Sequence, residues 1–323
     1  MKLSRRQSLH LAAGAAALPV LSWNASAQTY PTRSVRLIVG FPAGNASDIF
    51  ARLIAQSLSE RLGQQFVVEN RPGAGGNVGT EVVVRASPDG YTLLIVLTSN
   101  AINATLYANL NFDFIRDIAP VASIVDAPYA MVVNPSVPAK SVPEFIAYAK
   151  ANPGKLNMAS AGIGGATHVF GELFMMMAGV NLLHVPYRGN FMPDLLGGQV
   201  QVLFAPITHS IEYIRTGKLR ALAVTPATRS AALPEIPTVA EFVPGYETSF
   251  WTGIAAPKNT PAAIVDKLND EMNSALADPK MKARMAELGA TALPGSPADF
   301  GKLIATETEK WGKVIKYAGI KPE

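Results

Sequence analysis

The sequence predicts an α/β protein of two lobes, each a mainly parallel sheet flanked by helices. Three observations predict it. Strand-like and helix-like segments alternate as βαβαβ from residue 35 to residue 97, which implies a parallel sheet. A second such series begins near Tyr129. The last third is mostly helical and has no new sheet to cover, so the economical path returns the chain to the first lobe. Two crossings result, near residues 124–130 and 246–254, with a cleft between the lobes. The first lobe then takes residues 28–126 plus 248–323, and the second takes residues 127–247.

Residues 1–27 are set aside as an export signal. Lys2, Arg5 and Arg6 form a basic region, an apolar stretch runs from Leu9 to Leu21, and Ala25, Ser26 and Ala27 offer a cleavage site. The apolar stretch is too short, and too rich in alanine and glycine, for a membrane span. Arg5 and Arg6 after Ser4 fit a twin-arginine signal as well as an ordinary secretory one, and both stay open. Cleavage after Ala27 leaves a periplasmic chain starting at Gln28, with no stable membrane insertion.

The elements follow from pattern. Leu37, Ile38 and Val39, extended by Val35, read as a strand buried along most of its length. Phe50, Leu53, Ile54 and Leu58 recur at helical spacing, and Gly63 caps that helix. Residues 66–68 and 91–97 read as strands, with a helix around residues 80–85 between them. The second series reads as strand 130–133, helix 141–151, strand 157–160 and a helix through 170–177, then strands at 181–185, 200–204 and 220–224. Thr260 and Pro261 start a helix with a stripe of Ile264, Leu268, Met272 and Leu276. Ser296, Pro297 and Asp299 start the last helix, whose apolar face is Phe300, Leu303, Ile304, Trp311, Val314 and Ile315.

Composition narrows the function classes. The full chain has 28 basic and 24 acidic residues, and loss of the signal leaves 25 against 24, a net charge of +1. No basic run or aromatic-interleaved basic patch is present, so the chain is not expected to bind nucleic acid. There are no cysteines, which excludes disulfides and thiolate chemistry although the compartment permits disulfides. An apolar fraction of 49% suits a well-buried globular protein.

Two glycine-bearing turns carry the functional signal. Phe41-Pro42-Ala43-Gly44-Asn45-Ala46-Ser47-Asp48 closes the first strand and opens a helix. Ser160-Ala161-Gly162-Ile163-Gly164-Gly165-Ala166-Thr167-His168 does the same in the second lobe. A strand that turns directly into a helix presents free N–H groups at the positive end of the helix dipole, which suits a carboxylate or phosphate. In open α/β sheets, ligands bind at the carboxyl ends of strands. Facing helix starts would hold an anion between the lobes; the plainer alternative is two glycine-rich turns.

The chain resembles the tripartite tricarboxylate transporter substrate-binding proteins, the Bug or TctC family. The resemblance runs from Tyr30 and Pro31 to the end. It rests on the ordered stretches 41–48 (FPAGNASD), 69–77 (ENRPGAGGN), 87–93 (SPDGYTL), 134–136 (NPS), 184–189 (HVPYRG), 194–199 (DLLGGQ), 217–223 (GKLRALA) and 233–238 (LPEIPT). It implies a type II-like periplasmic binding protein of Venus flytrap form, expected to work as a monomer. Such a protein closes on a small carboxylate and delivers it to the membrane permease subunits of a tripartite transporter. The ligand-binding candidates are the eight residues of the first turn, Thr98, Ser99, Ser160, Gly162, Gly164, Gly165, Ala166, Thr167, His168, Arg188 and Ala205. Neither a catalytic residue, a cofactor nor a metal is expected.

Three departures from the family pattern bear on the ligand. Asn45 stands where the family often has a second glycine, and Ala43 where proline is common. The segment Asn190, Phe191, Met192 and Pro193 is about two residues shorter than the usual small-residue stretch. Ala205 and Pro206 stand where many relatives carry an aspartate. The ligand is therefore expected to have a less polar distal end than an amino acid.

Other motifs are weaker. Glycines at 73, 75, 76 and 79 suggest a dinucleotide fingerprint, but their spacing is one residue too long; a tight βα turn with close backbone packing is expected instead. His168, His184 and His209 show no close metal-ligand spacing, and no G-x-S-x-G elbow is present. His184 reads as a hydrogen-bonded structural residue, Trp251 as packing at the second crossing, and Met175, Met176 and Met177 as core. Arg188 fits a carboxylate ligand or a lobe-stabilising acid equally. The alternatives to transport are a ligand-sensing subunit and an exported enzyme using His168 as acid or base.

Overall fold

A computed structural model describes residues 30–187 and 189–322; the expected export signal and Arg188 lie outside the described residues. Residues 33–323 form one compact unit built on two sheets. The first has six strands in the order β11-β4-β10-β3-β1-β2. These are β1 (Val35–Val39), β2 (Phe66–Asn70), β3 (Thr92–Leu97), β4 (Ile118–Ala127), β10 (Phe250–Pro257) and β11 (Thr291–Ala292). The second has five strands in the order β7-β6-β8-β5-β9. These are β5 (Tyr129–Val133), β6 (Asn157–Ser160), β7 (Leu183–Pro186), β8 (Val202–Pro206) and β9 (Arg220–Val224).

Both sheets are mixed rather than mainly parallel. β1 runs parallel to β2 and β3, but β10 is antiparallel to β3 and β4, and β11 to β4. In the second sheet β6 is parallel to β7 and β8, whereas β5 is antiparallel to β8 and β9. The reason is the double crossing. β4 carries the chain out of the first sheet and β10 brings it back, so the two lie side by side in opposite directions. Neither strand was expected from the pattern. β4 contains Pro120 and ends on Asp126 and Ala127; β10 is interrupted by Gly253. Their pairing also contains two register shifts, which blur any period of two.

Helices flank both sheets: α1 (Ala46–Leu62), α2 (Asn77–Val84), α3 (Thr98–Leu106), α4 (Val142–Ala151), α5 (Ala166–Ala178), α6 (Met192–Gly197), α7 (Ile207–Arg215), α8 (Ala262–Ala277), α9 (Pro279–Glu287) and α10 (Pro297–Ala318). Local chemistry sets several ends. The Asn45 side chain caps α1, and Gly63, with φ +68°, ends it in the left-handed conformation that glycine adopts without cost. Ser296 and Asp299 form a capping box on α10. The buried stripe of α8 is Val265, Leu268, Met272, Ala275 and Leu276, one residue on from Ile264 at its start. None of the described helices is long and apolar enough to cross a membrane.

The crossings are tied by a buried carboxylate. Glu307 on α10 accepts hydrogen bonds from the indole N–H of Trp251 on β10 (3.1 Å) and of Trp311 on α10 (2.8 Å), and Lys310 pairs with its other oxygen. The Trp311 ring stacks on Phe170 of α5, with centroids 5.3 Å apart. Phe170 meets the Tyr129 ring edge-on at 4.9 Å, and its carbonyl accepts the Tyr246 hydroxyl at 3.0 Å. The helix that closes the first lobe therefore packs on the first helix after the second glycine-rich turn. Burying a carboxylate is tolerated because its lone pairs are occupied. Glu307→Leu should leave two buried indole donors unpaired, at roughly 1–3 kcal/mol each. Urea unfolding should show a midpoint lowered by about 3 kcal/mol equivalent with an unchanged slope; a loss below about 0.5 kcal/mol would show that the network contributes no stability.

Candidate functional site

The first turn is shaped by its own side chains. Asn45 Oδ1 accepts from Asp48 N–H (3.0 Å) and from the Ser47 hydroxyl (2.6 Å). Buried Asp48 accepts from Gly44 N–H, Arg52 Nε and Asn70 Nδ2, each at 2.9 Å. Burial alone would raise the Asp48 pKa, but these bonds, led by Arg52, pull it down to about 2. The carboxylate is therefore ionised and already partnered. Phe41 lends its carbonyl to Asn70 (2.9 Å), while Pro42, Ala43, Gly44 and Ala46 stand exposed. Asn45 thus spends its oxygen on the cap, which leaves only its amide nitrogen for the cleft.

The glycines at 73–79 back this turn. A Cβ on Gly40 would sit 2.8 Å from the Gly76 backbone, and one on Gly79 would sit 2.9 Å from Gly40 Cα. The strand end and α2 approach too closely for any side chain, so these glycines serve backbone packing. At the end of β3, Thr98 exchanges hydrogen bonds with the Trp251 backbone (3.1 and 3.4 Å). The neighbouring Ser99 hydroxyl is buried and has no partner in the protein.

The second turn is also internally bonded. Thr167 Oγ1 accepts from Ala161 N–H (2.8 Å), and Ser160 Oγ accepts from Gly162 N–H (3.2 Å). His168 is only 4% exposed. Its Nδ1 accepts from Gly164 N–H and its Nε2 lies against Glu172 Oε1, both at 3.0 Å. His168 therefore has no nitrogen left for a ligand or for acid–base chemistry; it shapes the turn. Its ring lies flat on that of His184, centroids 3.6 Å apart at 9°, and His184 Nε2 is 2.6 Å from Ser160 Oγ. Burial, with the His168 ring beside it, pushes the His184 pKa down to about 4. Glu172, one turn beyond His168, was not picked out from the sequence, although its i,i+4 spacing on a helix was a legible signal.

With the side chains consumed, the backbone remains. Among the described residues, the first-turn amides of Ala46 and Ser47 on α1, and of Ala166 and Thr167 on α5, have no protein acceptor. Each turn also meets the opposite lobe. A Cβ on Gly164 would strike Leu106 of α3 at 2.4 Å. Gly44, Asn45 and Ala46 share a cavity of about 470 Å³ with Ile49, Phe50, Thr208, His209, Glu287 and Leu288. Thr208 and His209 open α7, and the α9–β11 loop supplies Leu288. Ala205 is not at this surface; it is fully buried in β8, paired with Ala130. Asn190 to Pro193 starts the short α6, where Asn190 accepts from Met192 N–H (3.0 Å). No cluster of metal-ligating side chains occurs among the described residues.

A chain of two α/β lobes whose strand ends each present an uncommitted helix start has relatives among known proteins. The model of the tripartite tricarboxylate transporter family receptor matches residues 50–320. The chain belongs to this family. Protein BugT of Bordetella pertussis is 36% identical over 301 residues, covering 92% of each chain. The solved structure of R. palustris Rpa4515 with adipate is 38% identical, with a TM-score of 0.77 over 91% of this chain and all of that one. The structure of MatC from Rhodopseudomonas palustris with bound malate is 30% identical, with a TM-score of 0.74 over 88% of this chain and all of that one. The family is one of transporter receptors, and these neighbours are periplasmic-binding-protein folds, as the sequence implied.

The burial of His184 has a consequence for stability. His184 binds its proton near pH 4 when folded but near 6.5 when unfolded. The unfolded state therefore binds more protons between these values, and stability is lost as pH falls from about 6.5 to about 4. Urea unfolding across this range should show that slope, and His184→Phe should flatten it. An equal slope in both proteins would remove His184 as its source.

Proposed function

We propose that this protein is an extracytoplasmic receptor that captures a small carboxylate between its lobes and hands it to a tripartite tricarboxylate-type permease. The observation that carries the reading is the pair of helix starts, each with two unbonded amides and each on a different sheet. A hydrogen bond from an N–H to a charged group contributes roughly 1.5–3 kcal/mol net. Four of them are of the order of the about 8 kcal/mol that micromolar binding represents, with ordered water and the Ser99 hydroxyl helping to offset the association cost. No dedicated lysine or arginine is required. The relatives seen with adipate and malate support a carboxylate.

The moving bodies in this reading are residues 28–126 with 248–323, and residues 127–247. The signal directs export and is cleaved after Ala27, and the receptor acts as a monomer. Binding rather than turnover is favoured by the fully engaged ring of His168. The distal end of the ligand is less polar than that of an amino acid. Ile49, Phe50 and Leu288 supply apolar surface to the cavity beside the first turn, which Thr208, His209 and Glu287 also line.

A thermal-shift and calorimetric panel of aliphatic dicarboxylates, aromatic acids, tricarboxylates and amino acids tests the proposal, because a ligand that binds only the folded state raises its stability. An aliphatic or aromatic acid should bind and be recovered chemically unchanged. Tight binding of aspartate or glutamate alone would refute the apolar distal end, and multiple turnovers of any acid would refute a receptor.

A further inference from the structure

The stacked histidines sit behind the second turn, and each is wired to it. Gly164 N–H donates to His168 Nδ1, Gly162 N–H donates to Ser160 Oγ, and Ser160 Oγ contacts His184 Nε2. One of the turn's amides thus bonds the imidazole pair directly, and a second reaches it through Ser160. Gly162 and Gly164 adopt φ of +120° and +73°, so the turn holds a shape that these bonds maintain. Gly164 also abuts Leu106 of the opposite lobe, which places the wired residue at the contact between the lobes.

We propose that His168 and His184, with Glu172 and Ser160, are positioning residues that hold the second turn in its ligand-receiving shape only while both imidazoles are neutral. A neutral His168 bears its proton on Nε2, facing Glu172, and leaves Nδ1 as the acceptor for Gly164. A second proton on that ring sets donor against donor at 3.0 Å. The Gly164 amide must then turn away, and the contact with Leu106 moves with it. A proton on His184 fixes its Nε2 as a donor to Ser160 Oγ and creates a cationic ring whose centroid is 3.6 Å from that of His168. Either event loosens the turn that presents the Ala166 and Thr167 amides.

The surroundings concentrate the effect in this pair. On α5 the charged neighbour is Glu172; β7 contributes His184 and β6 contributes Ser160. From α10, packed on α5, Glu307 and Lys310 face each other and the indoles of Trp251 and Trp311. Leu106 of α3 abuts Gly164, and Phe204 of β8 packs on Phe174 of α5. The depressed pKa of His184 sets the window: the turn is intact at neutral pH and released as pH falls toward about 4.

The test uses the ligand-free protein, so its outcome is independent of whether a carboxylate is the ligand. Imidazole and amide nitrogens of the 15N-labelled full-length mature chain are followed by NMR from pH 8 to pH 4. The His168 proton should sit on Nε2 at pH 7, with Nδ1 left as the acceptor for Gly164. The Gly164, Ala166 and Thr167 amides should shift together, with the midpoint of the ring titration. In His184→Phe, which keeps a ring on His168 but cannot gain a proton, the Gly164 curve should reduce to a single step. A His168 proton on Nδ1 at pH 7, or a Gly164 amide that stays flat while the rings titrate, would overturn the proposal. If the variant does not fold, the wild-type titration still decides it.

Discussion

The structure depends on one buried carboxylate shared by two tryptophans. Glu307 takes the indole N–H of Trp251 from the strand that returns to the first sheet and that of Trp311 from its own helix. The Trp311 ring then presses on Phe170, in the helix that follows the second turn. A two-lobed receptor needs its halves to move without coming apart. Side-by-side crossing strands run in opposite directions, and a packed aromatic contact lies beside them.

Both turns solve the same problem in the same way. A side chain that binds a ligand must be held, and a charged one must be kept from pairing elsewhere. Here Asp48, Asn45, Ser160, Thr167 and His168 are spent on holding the backbone, and the backbone amides are left open. Fixed amides at a helix start need little reorganisation on binding, which lowers the cost of association. The same arrangement frees the rest of the cleft to vary. Thr208, His209 and Leu288, which line the cavity beside the first turn, belong to no motif that the two turns share.

Sequence reasoning found the two turns because their signal is local. Glycines, a hydroxyl or amide cap and an apolar strand immediately before them are contiguous residues, and helix capping acts over three or four positions. The same locality made the first strand, the cap at Gly63 and the Ser296 box readable. What was misread is what those side chains do. His168 stands at a helix start, where a ligand contact is plausible, but its partners lie one turn along the helix and on a neighbouring strand. Ala205 stood out as a departure from the family pattern, yet strand pairing buries it. Thr98 is held by a strand that enters the sheet some 150 residues later.

The sequence by itself determined the class of the protein, the two-lobe alternation, the absence of thiol chemistry and the positions of both glycine-bearing turns, because each rests on composition or on neighbours along the chain. Only the tertiary structure decided that the sheets are mixed, that β4 and β10 pair, that the polar side chains of the turns face inward, and that two histidines 16 positions apart in the sequence stack. These depend on which distant segments meet. Cross-strand pairing and ring stacking leave no periodic trace in either partner, so the fold has to bring the residues together before their chemistry can be assigned.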